Sequence, residues 1–328
     1  MSHRQIVLSI NPSYLCNFRC NFCYLSREQL SSKTRLNPSR LFELLSEVSQ
    51  SYEITHVDLY GGEVALLPAE YLSELLSVLK IFYKGPLSVI TNYSVESSLY
   101  NRPEVDLTVS WDYFAREQNQ EVYDRMLKIE KPFHVLALAA DQMLRMTDQN
   151  LDDFISKLNA LPKLNSFEIK PFSQNHFHRQ SARFDEFENF IKRWLLRASN
   201  LKPTFINQVK IMDSLSQKYS SWSDNHLYIT PTGNFSVLDF DADGNEAFVE
   251  MQDLKNYWQW VELEKRRVST NPFCSKCEFL GSCLSEHLQD VKSMEHSCNG
   301  FQGLLRWAQS QKQESSLTSF STELLSLS

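Results

Sequence analysis

Residues 5–10 read Gln5-Ile6-Val7-Leu8-Ser9-Ile10. Asn11-Pro12-Ser13-Tyr14-Leu15 follows, and then Cys16-Asn17-Phe18-Arg19-Cys20-Asn21-Phe22-Cys23. The first six are short, apolar and rich in β-branched residues, and they stop at Asn-Pro, so a strand runs here into a loop. The loop carries three cysteines within eight residues. Three thiolates so spaced can wrap one iron–sulfur cube, but a cube has four irons, so one iron is left without a protein ligand. An open metal position is where a substrate or cofactor binds, whereas a structural site closes its ligand set.

The other cysteines are Cys274, Cys277, Cys283 and Cys298, with none between Cys23 and Cys274. Buried structural cysteines would scatter through the core. A disulfide framework would need an oxidising compartment, and seven thiols would leave one unpaired. Two separated clusters point instead to metal or redox chemistry. The spacing CxxC, five residues, Cys and a distant fourth Cys supplies a complete ligand set. On spacing alone it serves zinc as well as a cluster.

The chain has 328 residues, 42% of them apolar and 22% charged, which is enough to bury a sizeable core in one large domain or one plus a smaller partner. No apolar run approaches the roughly 20 residues of a membrane span. The amino-terminal MSHRQIVLSINPSY is too short in its apolar part for a signal peptide. A cytoplasmic location with no membrane partner is therefore expected. The net charge of −7 gives no electrostatic reason to expect nucleic acid. Glycine is scarce, eight in all, yet Gly61 and Gly62 are adjacent.

Short apolar runs at 5–10, 54–60, 87–91, 105–110, 133–139 and 166–170 predict strands. Helical patterns separate them, one opened by the capping Asn37 with Pro38 in its first turn and the next by Pro68. Others fall near 116–130, 148–160 and 184–199. Such alternation implies a parallel sheet with helical crossovers, whose sites gather at the carboxyl ends of the strands. Gly61-Gly62-Glu63 follows the second predicted strand, Thr91-Asn92 ends the third, and Ser110-Trp111-Asp112 ends the fourth. Arg125 lies on the helix after that.

CxxxCxxC with Phe22 before its last cysteine resembles the signature of the radical S-adenosylmethionine (SAM) enzymes. The resemblance implies an α/β fold, a partial (β/α)6 TIM-like barrel, with a [4Fe–4S] cluster on Cys16, Cys20 and Cys23. Its open iron would chelate the amino and carboxylate groups of SAM, whose reductive cleavage yields a 5′-deoxyadenosyl radical. Gly61, Gly62 and Glu63 resemble the motif that holds the SAM amino group. Ser110 then corresponds to a serine that contacts the SAM ribose or carboxylate, and Arg125 to an arginine that pairs with the carboxylate. Phe22, Asn92 and Asp112 are the remaining expected cofactor contacts.

From about 205 the pattern changes to strand–turn–strand in HLYITPTGNFSVLDFDADGNEAFV (226–249), with turns at Pro231-Thr232-Gly233 and Asp243-Gly244. This part resembles a SPASM/Twitch domain with its first auxiliary site deleted: Leu238 and His287 stand where two family cysteines would be. The resemblance implies a small α+β domain holding one auxiliary [4Fe–4S] cluster on Cys274, Cys277, Cys283 and Cys298. His287 is read as a polar neighbour of that site. The expected division is 1–205 for the barrel, 206–310 for the auxiliary domain and 311–328 for a Ser-rich tail. Asp239, Asp241, Asp243, Gly244 and Glu250 match a calcium-loop pattern, but Glu246 stands at a normally aliphatic position and a strand precedes, so a hairpin turn is expected. His176 and His178, after the last predicted barrel strand, receive no role.

SPASM/Twitch members mostly modify peptides. The stretch CLSEHLQDVKSMEHSCNGFQGLLRW (283–307) resembles the XYE-type maturases of ribosomally synthesised and post-translationally modified peptides (RiPPs). That group forms three-residue cyclophanes by joining an aromatic ring carbon to an unactivated side-chain β-carbon. Expected partners are a precursor peptide, an external electron donor such as flavodoxin or ferredoxin, and a separate leader-binding protein or the barrel–tail junction in its place, since the chain starts almost at its first strand. Peptide epimerisation and thioether formation are alternatives, as is a non-catalytic Fe–S peptide-binding partner. With all seven cysteines assigned to clusters, no thiol is left to quench a substrate radical, which favours an oxidative crosslink over epimerisation.

Overall fold

The computed structural model describes residues 4–113, 116, 118–172, 184–239, 247–284, 298 and 301–313. Strands and helices alternate through the first two thirds: β1 (Arg4–Ile10), α1 (Pro38–Ser49), β2 (Tyr52–Leu59), α2 (Ala69–Phe82), β3 (Leu87–Thr91), β4 (Val105–Ser110), α3 (Asn119–Met126), β5 (Phe133–Ala139), α4 (Asp141–Leu144), α5 (Asp148–Ala160), β6 (Leu164–Pro171) and α6 (Phe184–Leu195). Every strand expected from the apolar runs is present. A 3₁₀ turn at Ser98–Asn101 replaces a helix between β3 and β4. Neighbours from β1 to β6 pair in parallel, which needs crossover connections, and α1, α2, α3 and α5 supply four of the five.

Local chemistry explains these elements. The Asn37 side chain accepts from the Ser39 and Arg40 amides at 2.8 and 3.3 Å, capping α1 at the place where Pro38 needs no amide partner. Leu41, Leu44, Leu45 and Val48 then form one buried stripe at helical spacing. Alternation does the same in the strands. Phe133, Val135, Ala137 and Ala139 of β5 are buried under the helices, while His134, Leu136 and Leu138 point to the other face. Trp194 of α6, fully buried, meets Phe154 and Phe167 at ring-centroid distances of 5.2 Å and seals α5 and α6 onto the sheet.

The rest of the chain is β7 (Thr204–Phe205), α7 (Ile206–Leu215), β8 (His226–Ile229), β9 (Phe235–Leu238), β10 (Phe248–Met251), α8 (Leu254–Thr270) and α9 (Gln302–Gln313). The break expected at 205/206 does not divide the sheet. β7 pairs with β6, β8 pairs in parallel with β1, and the β8–β9–β10 meander extends that edge, so the order is β10-β9-β8-β1-β2-β3-β4-β5-β6-β7. The cause is an open edge on β1, which offers unpaired backbone groups that Val7 to Ile10 satisfy with His226 to Ile229. Helix α9 runs through 311, so the expected tail boundary falls inside a helix. Among the described residues no helix is long and apolar enough to cross a membrane.

Candidate functional site

The cysteine loop leaves the carboxyl end of β1, and the next loop along the sheet holds it in place. Tyr60, Gly62 and Glu63 donate their amides to the carbonyls of Ile10, Ser13 and Leu15, at 3.1, 3.0 and 2.8 Å. That stitching requires close backbone approach. Gly61 has φ +138°, and a Cβ on it would sit 2.8 Å from the Ser13 carbonyl. A Cβ on Gly62 would run into the carbonyls of Tyr14 and Leu15. The adjacent glycines therefore seat the base of the loop.

Glu63 is buried, and both carboxylate oxygens are engaged within the protein. One accepts from the Ala65 amide and the Thr91 hydroxyl at 3.0 and 2.7 Å, the other from the Asn92 amide at 2.7 Å. Burial pushes its carboxyl up, against the pull of these bonds. What Gly61 and Gly62 present to the neighbouring space is backbone, while the Glu63 side chain ties their loop to the end of β3. Asn92 carries the link onward: its side-chain Nδ2 lies 3.0 Å from Asn17 Oδ1 and 3.9 Å from Cys16 Sγ.

A cavity of about 590 Å³ opens at these strand ends. Cys16, Cys20, Cys23, Phe22, Gly61, Gly62, Asn92, Ser110 and Asp112 all line it, so the structure brings most of the expected residues to one space. Such a volume suits a small molecule with part of a larger one. Glu63 and Arg125 are not among the lining residues. Arg125 points to the Tyr93 carbonyl at 3.5 Å.

Arg116 is the residue the sequence reading missed. Its guanidinium pairs with the buried Asp112, lies 5.2 Å from the Phe22 ring centroid and lines the cavity. Asp112 and Arg116 stand four apart in the sequence, but both precede α3, so helical spacing does not single out the pair. Burial pushes the Cys20 thiol up to about 11, with Arg116 opposing that rise. Burial also raises the Cys16 and Cys23 thiols. Three desolvated thiols beside one cation form a donor set that a cationic metal cluster would relieve.

The second cysteine group sits at the carboxyl end of α8. The Asn271 side chain accepts from the Phe273 and Cys274 amides at 2.9 and 3.1 Å, ending the helix and turning Cys274 into a 3₁₀ turn. Cys277 Sγ accepts from the Phe279 amide and the Gln302 side chain, both at 3.4 Å. Gly281, at φ +84°, lets the loop pass Trp222, where a Cβ would meet the indole nitrogen at 2.8 Å. The Cys274 thiol is pushed up to about 12 by burial and then by Cys298, Cys283 and Cys277, so the four thiols lie within electrostatic reach of one another.

Among the described residues no three His, Cys, Asp or Glu side chains converge as ligands of one ion do. Thiols around a cube stand at its separate corners, further apart than the ligands of a single ion. Glu250 lies on β10 and accepts from Thr230 and Asn234 at 2.7 Å and from Thr232; burial raises its carboxyl, but these bonds outweigh that and hold it low. β9 and β10 pair antiparallel here, and the Asp239 amide donates to the Ala247 carbonyl at 2.9 Å. Asp241, Asp243, Gly244, Glu246, His176, His178 and His287 lie outside the described residues.

No family model matches the chain, and a search of curated proteins finds no match. Solved structures do match. The chain is similar to Streptococcus suis SuiB bound to S-adenosylmethionine, with a TM-score of 0.62 and 13% identity over 90% of this chain and 76% of SuiB. SuiB bound to its precursor peptide SuiA matches equally, at 0.62 and 13%, over 90% and 74%. Native anSMEcpe with bound AdoMet and the Cp18Cys peptide matches at 0.62 and 16%, over 94% of this chain and 97% of that one. At such identity the likeness is one of fold: this chain has the α/β, parallel-sheet fold that those two proteins adopt.

Proposed function

We propose that the chain is a radical SAM enzyme that modifies a peptide, installing an oxidative carbon–carbon crosslink between an aromatic ring carbon and an unactivated side-chain β-carbon in a ribosomally made precursor. The observation that carries this is the single cavity onto which the three-cysteine loop, the Gly61-Gly62 backbone, Asn92, Ser110 and the Asp112–Arg116 pair all converge. Fold neighbours bound to S-adenosylmethionine and to peptides support the same reading. In it, β1 to β6 with their helices form the partial (β/α)6 barrel. Residues 206–310 form the Twitch/SPASM-like part, built onto the barrel's own sheet, and 311–328 the tail, whose first residues finish α9.

The residues present fit the groups this implies. Cys16, Cys20 and Cys23 would hold a [4Fe–4S] cluster with one open corner, and Cys274, Cys277, Cys283 and Cys298 a closed auxiliary one. When bound, the first with SAM supplies a 5′-deoxyadenosyl radical and the second an electron acceptor. The chain's own part is to place and shield. Gly61 and Gly62 bring bare backbone to the cavity wall, where carbonyls and amides can meet SAM's amino acid end. Asn92 and Ser110 offer neutral hydrogen bonds beside it. Arg116, fixed by Asp112, places one positive charge against the thiolates and the Phe22 face. Phe22, Leu138 and Phe172 keep that wall apolar, which excludes water from reactive intermediates.

The cysteine arithmetic favours a crosslink over epimerisation. Cys298 lies with Cys274, so all seven thiols fall into the two groups and none is left to give a hydrogen atom. An electron donor such as flavodoxin or ferredoxin and a leader-binding partner belong to the same proposal. The test is anaerobic co-expression with the short open reading frame beside its gene, followed by peptide mass and tandem fragmentation. A loss of two hydrogens per event, with a ring-to-β-carbon link and no cysteine involved, supports the reading. An unchanged mass with deuterium gained from heavy water means epimerisation instead.

A further inference from the structure

The inner face of the sheet carries a row of polar side chains below the cavity. Ser9, Asp58, Ser88 and Asp106 are successive register partners on β1 to β4, and His134 and Ser166 pair on β5 and β6. They fall into two hydrogen-bonded groups, one around Asp58 and one around His134. The Ser9 hydroxyl lies 2.7 Å from His226 Nε2 and 3.4 Å from one Asp58 oxygen, and His56 Nε2 lies 3.0 Å from the other. Asp58 also bonds Ser88. His134 joins Asp106 at 3.1 Å and Ser166 at 2.6 Å. Branched apolar residues usually fill the inside of a parallel barrel-type sheet, and buried polar groups cost free energy even when paired, so this row calls for a role.

Its two sides meet different surroundings. Ser9, Asp58 and His226 line the same cavity as the cysteine loop. His56 and Asp106 are 43% and 40% exposed, and Asp106 is the second residue of its strand, at the end opposite the cysteines. Asp58 in the cavity wall is thus bonded to a side chain, His56, that reaches solvent.

We propose that Asp58 accepts the proton released when the peptide's aromatic ring is crosslinked, and that His56 passes it to solvent. This rests on the crosslinking reading above. Joining a β-carbon to a ring carbon breaks one C–H bond at each and forms one C–C bond. The β-hydrogen leaves as a hydrogen atom to the SAM-derived acceptor. The ring hydrogen leaves as a proton, while the surplus electron goes to an iron–sulfur acceptor, so the ring recovers its aromaticity and atoms and charge balance. That proton needs a base in the cavity.

Among the described lining residues the carboxylates are Asp58 and Asp112, and Asp112 is held by Arg116 and by the Leu138 amide. Burial raises the phenols of Tyr60 and Tyr24, so both stay protonated at neutral pH and do not serve as the base. Burial raises the Asp58 carboxyl too, but the hydrogen bond and charge of His56 outweigh it, so Asp58 is ionised and able to accept. A cyclised, oxidised ring is acidic enough for a carboxylate to suffice. His56 in turn is raised by its bond to Asp58. The other titratable groups facing the pair are His226 from β8, Asp106 from β4, and Tyr60 and Tyr83 from the loops next to β2 and β3.

The test uses the reconstituted holoenzyme and its peptide, counting 5′-deoxyadenosine formed and crosslinked peptide separately. Asp58→Asn should still cleave SAM while crosslinked product per SAM cleaved falls about 10²-fold or more, the usual scale of a lost general base. His56→Gln should move the acid limb of the product-per-cleavage profile to higher pH, because Asp58 loses the partner that keeps it ionised. A structural role would move neither ratio nor limb. An unchanged ratio in Asp58→Asn, or an unmoved limb in His56→Gln, overturns the proposal; if Asp58→Asn does not fold, the limb decides. A wild-type protein that cleaves SAM yet never removes two hydrogens from the peptide overturns the crosslinking reading itself.

Discussion

Arg116 is held on the carboxylate of Asp112, which has no solvent exposure and also receives the Leu138 amide, so one ion pair joins the ends of β4 and β5 directly beside Phe22. A buried pair contributes little net stability when whole, but removing one partner strands the other charge. Arg116→Met should therefore cost about 3–5 kcal/mol. Asp112→Leu combined with Arg116→Met should recover much of that loss. Urea unfolding of the three proteins measures both expectations.

Gly62→Ala puts a methyl group against the Tyr14 and Leu15 carbonyls, which are backbone and cannot turn away. The loop must shift, at about 1–3 kcal/mol for an overpacked site. Because that loop seats Cys16, iron bound per chain should fall as well. Iron analysis with thermal unfolding checks the two effects together.

The two cysteine groups should load independently. Cys274→Ala is expected to remove about four irons per chain, the content of one cube, and to leave SAM cleavage in place. Cys16→Ala should remove a similar number and abolish cleavage. Iron content and 5′-deoxyadenosine yield on the same samples separate the two sites.

The His56–Asp58 pair sets a pH window for stability. His56 is raised by its bond to Asp58, so its contribution is complete below about pH 6.5 and is lost as pH rises through its folded value. Asp58 is lowered despite burial, so its contribution is present above about pH 3.9 and is lost as pH falls through its folded value. His56→Gln should lower the unfolding midpoint most between those limits, at about pH 5, and least at about pH 8.5. Unfolding curves at the two pH values provide the comparison.

The parallel core was legible because it depends on local periodicity: the alternation in Phe133–Ala139 and the capped stripe from Asn37 to Val48 can be read without knowing what they touch. The edge was not. β8 is four residues long, and its place beside β1 depends on a register across more than 200 residues. The glycine pair and the cysteines were readable as residue types. The destination of the Glu63 carboxylate was not, since Thr91 and Asn92 reach it only once β2 and β3 are paired. Arg116 was not legible for a similar reason: only packing shows that it lies over Phe22, while Arg125 reaches the Tyr93 carbonyl. The polar row escaped notice because each member, taken alone, is an ordinary polar residue in a strand.

Electron paramagnetic resonance of the reduced, anaerobically reconstituted protein, with and without SAM, tests the open-cornered cluster most directly. A [4Fe–4S] signal that changes when SAM is added is expected, with 5′-deoxyadenosine formed, and loss of both in Cys16→Ala while the second cluster's signal remains. A spectrum indifferent to SAM in the fully loaded wild-type protein would contradict it.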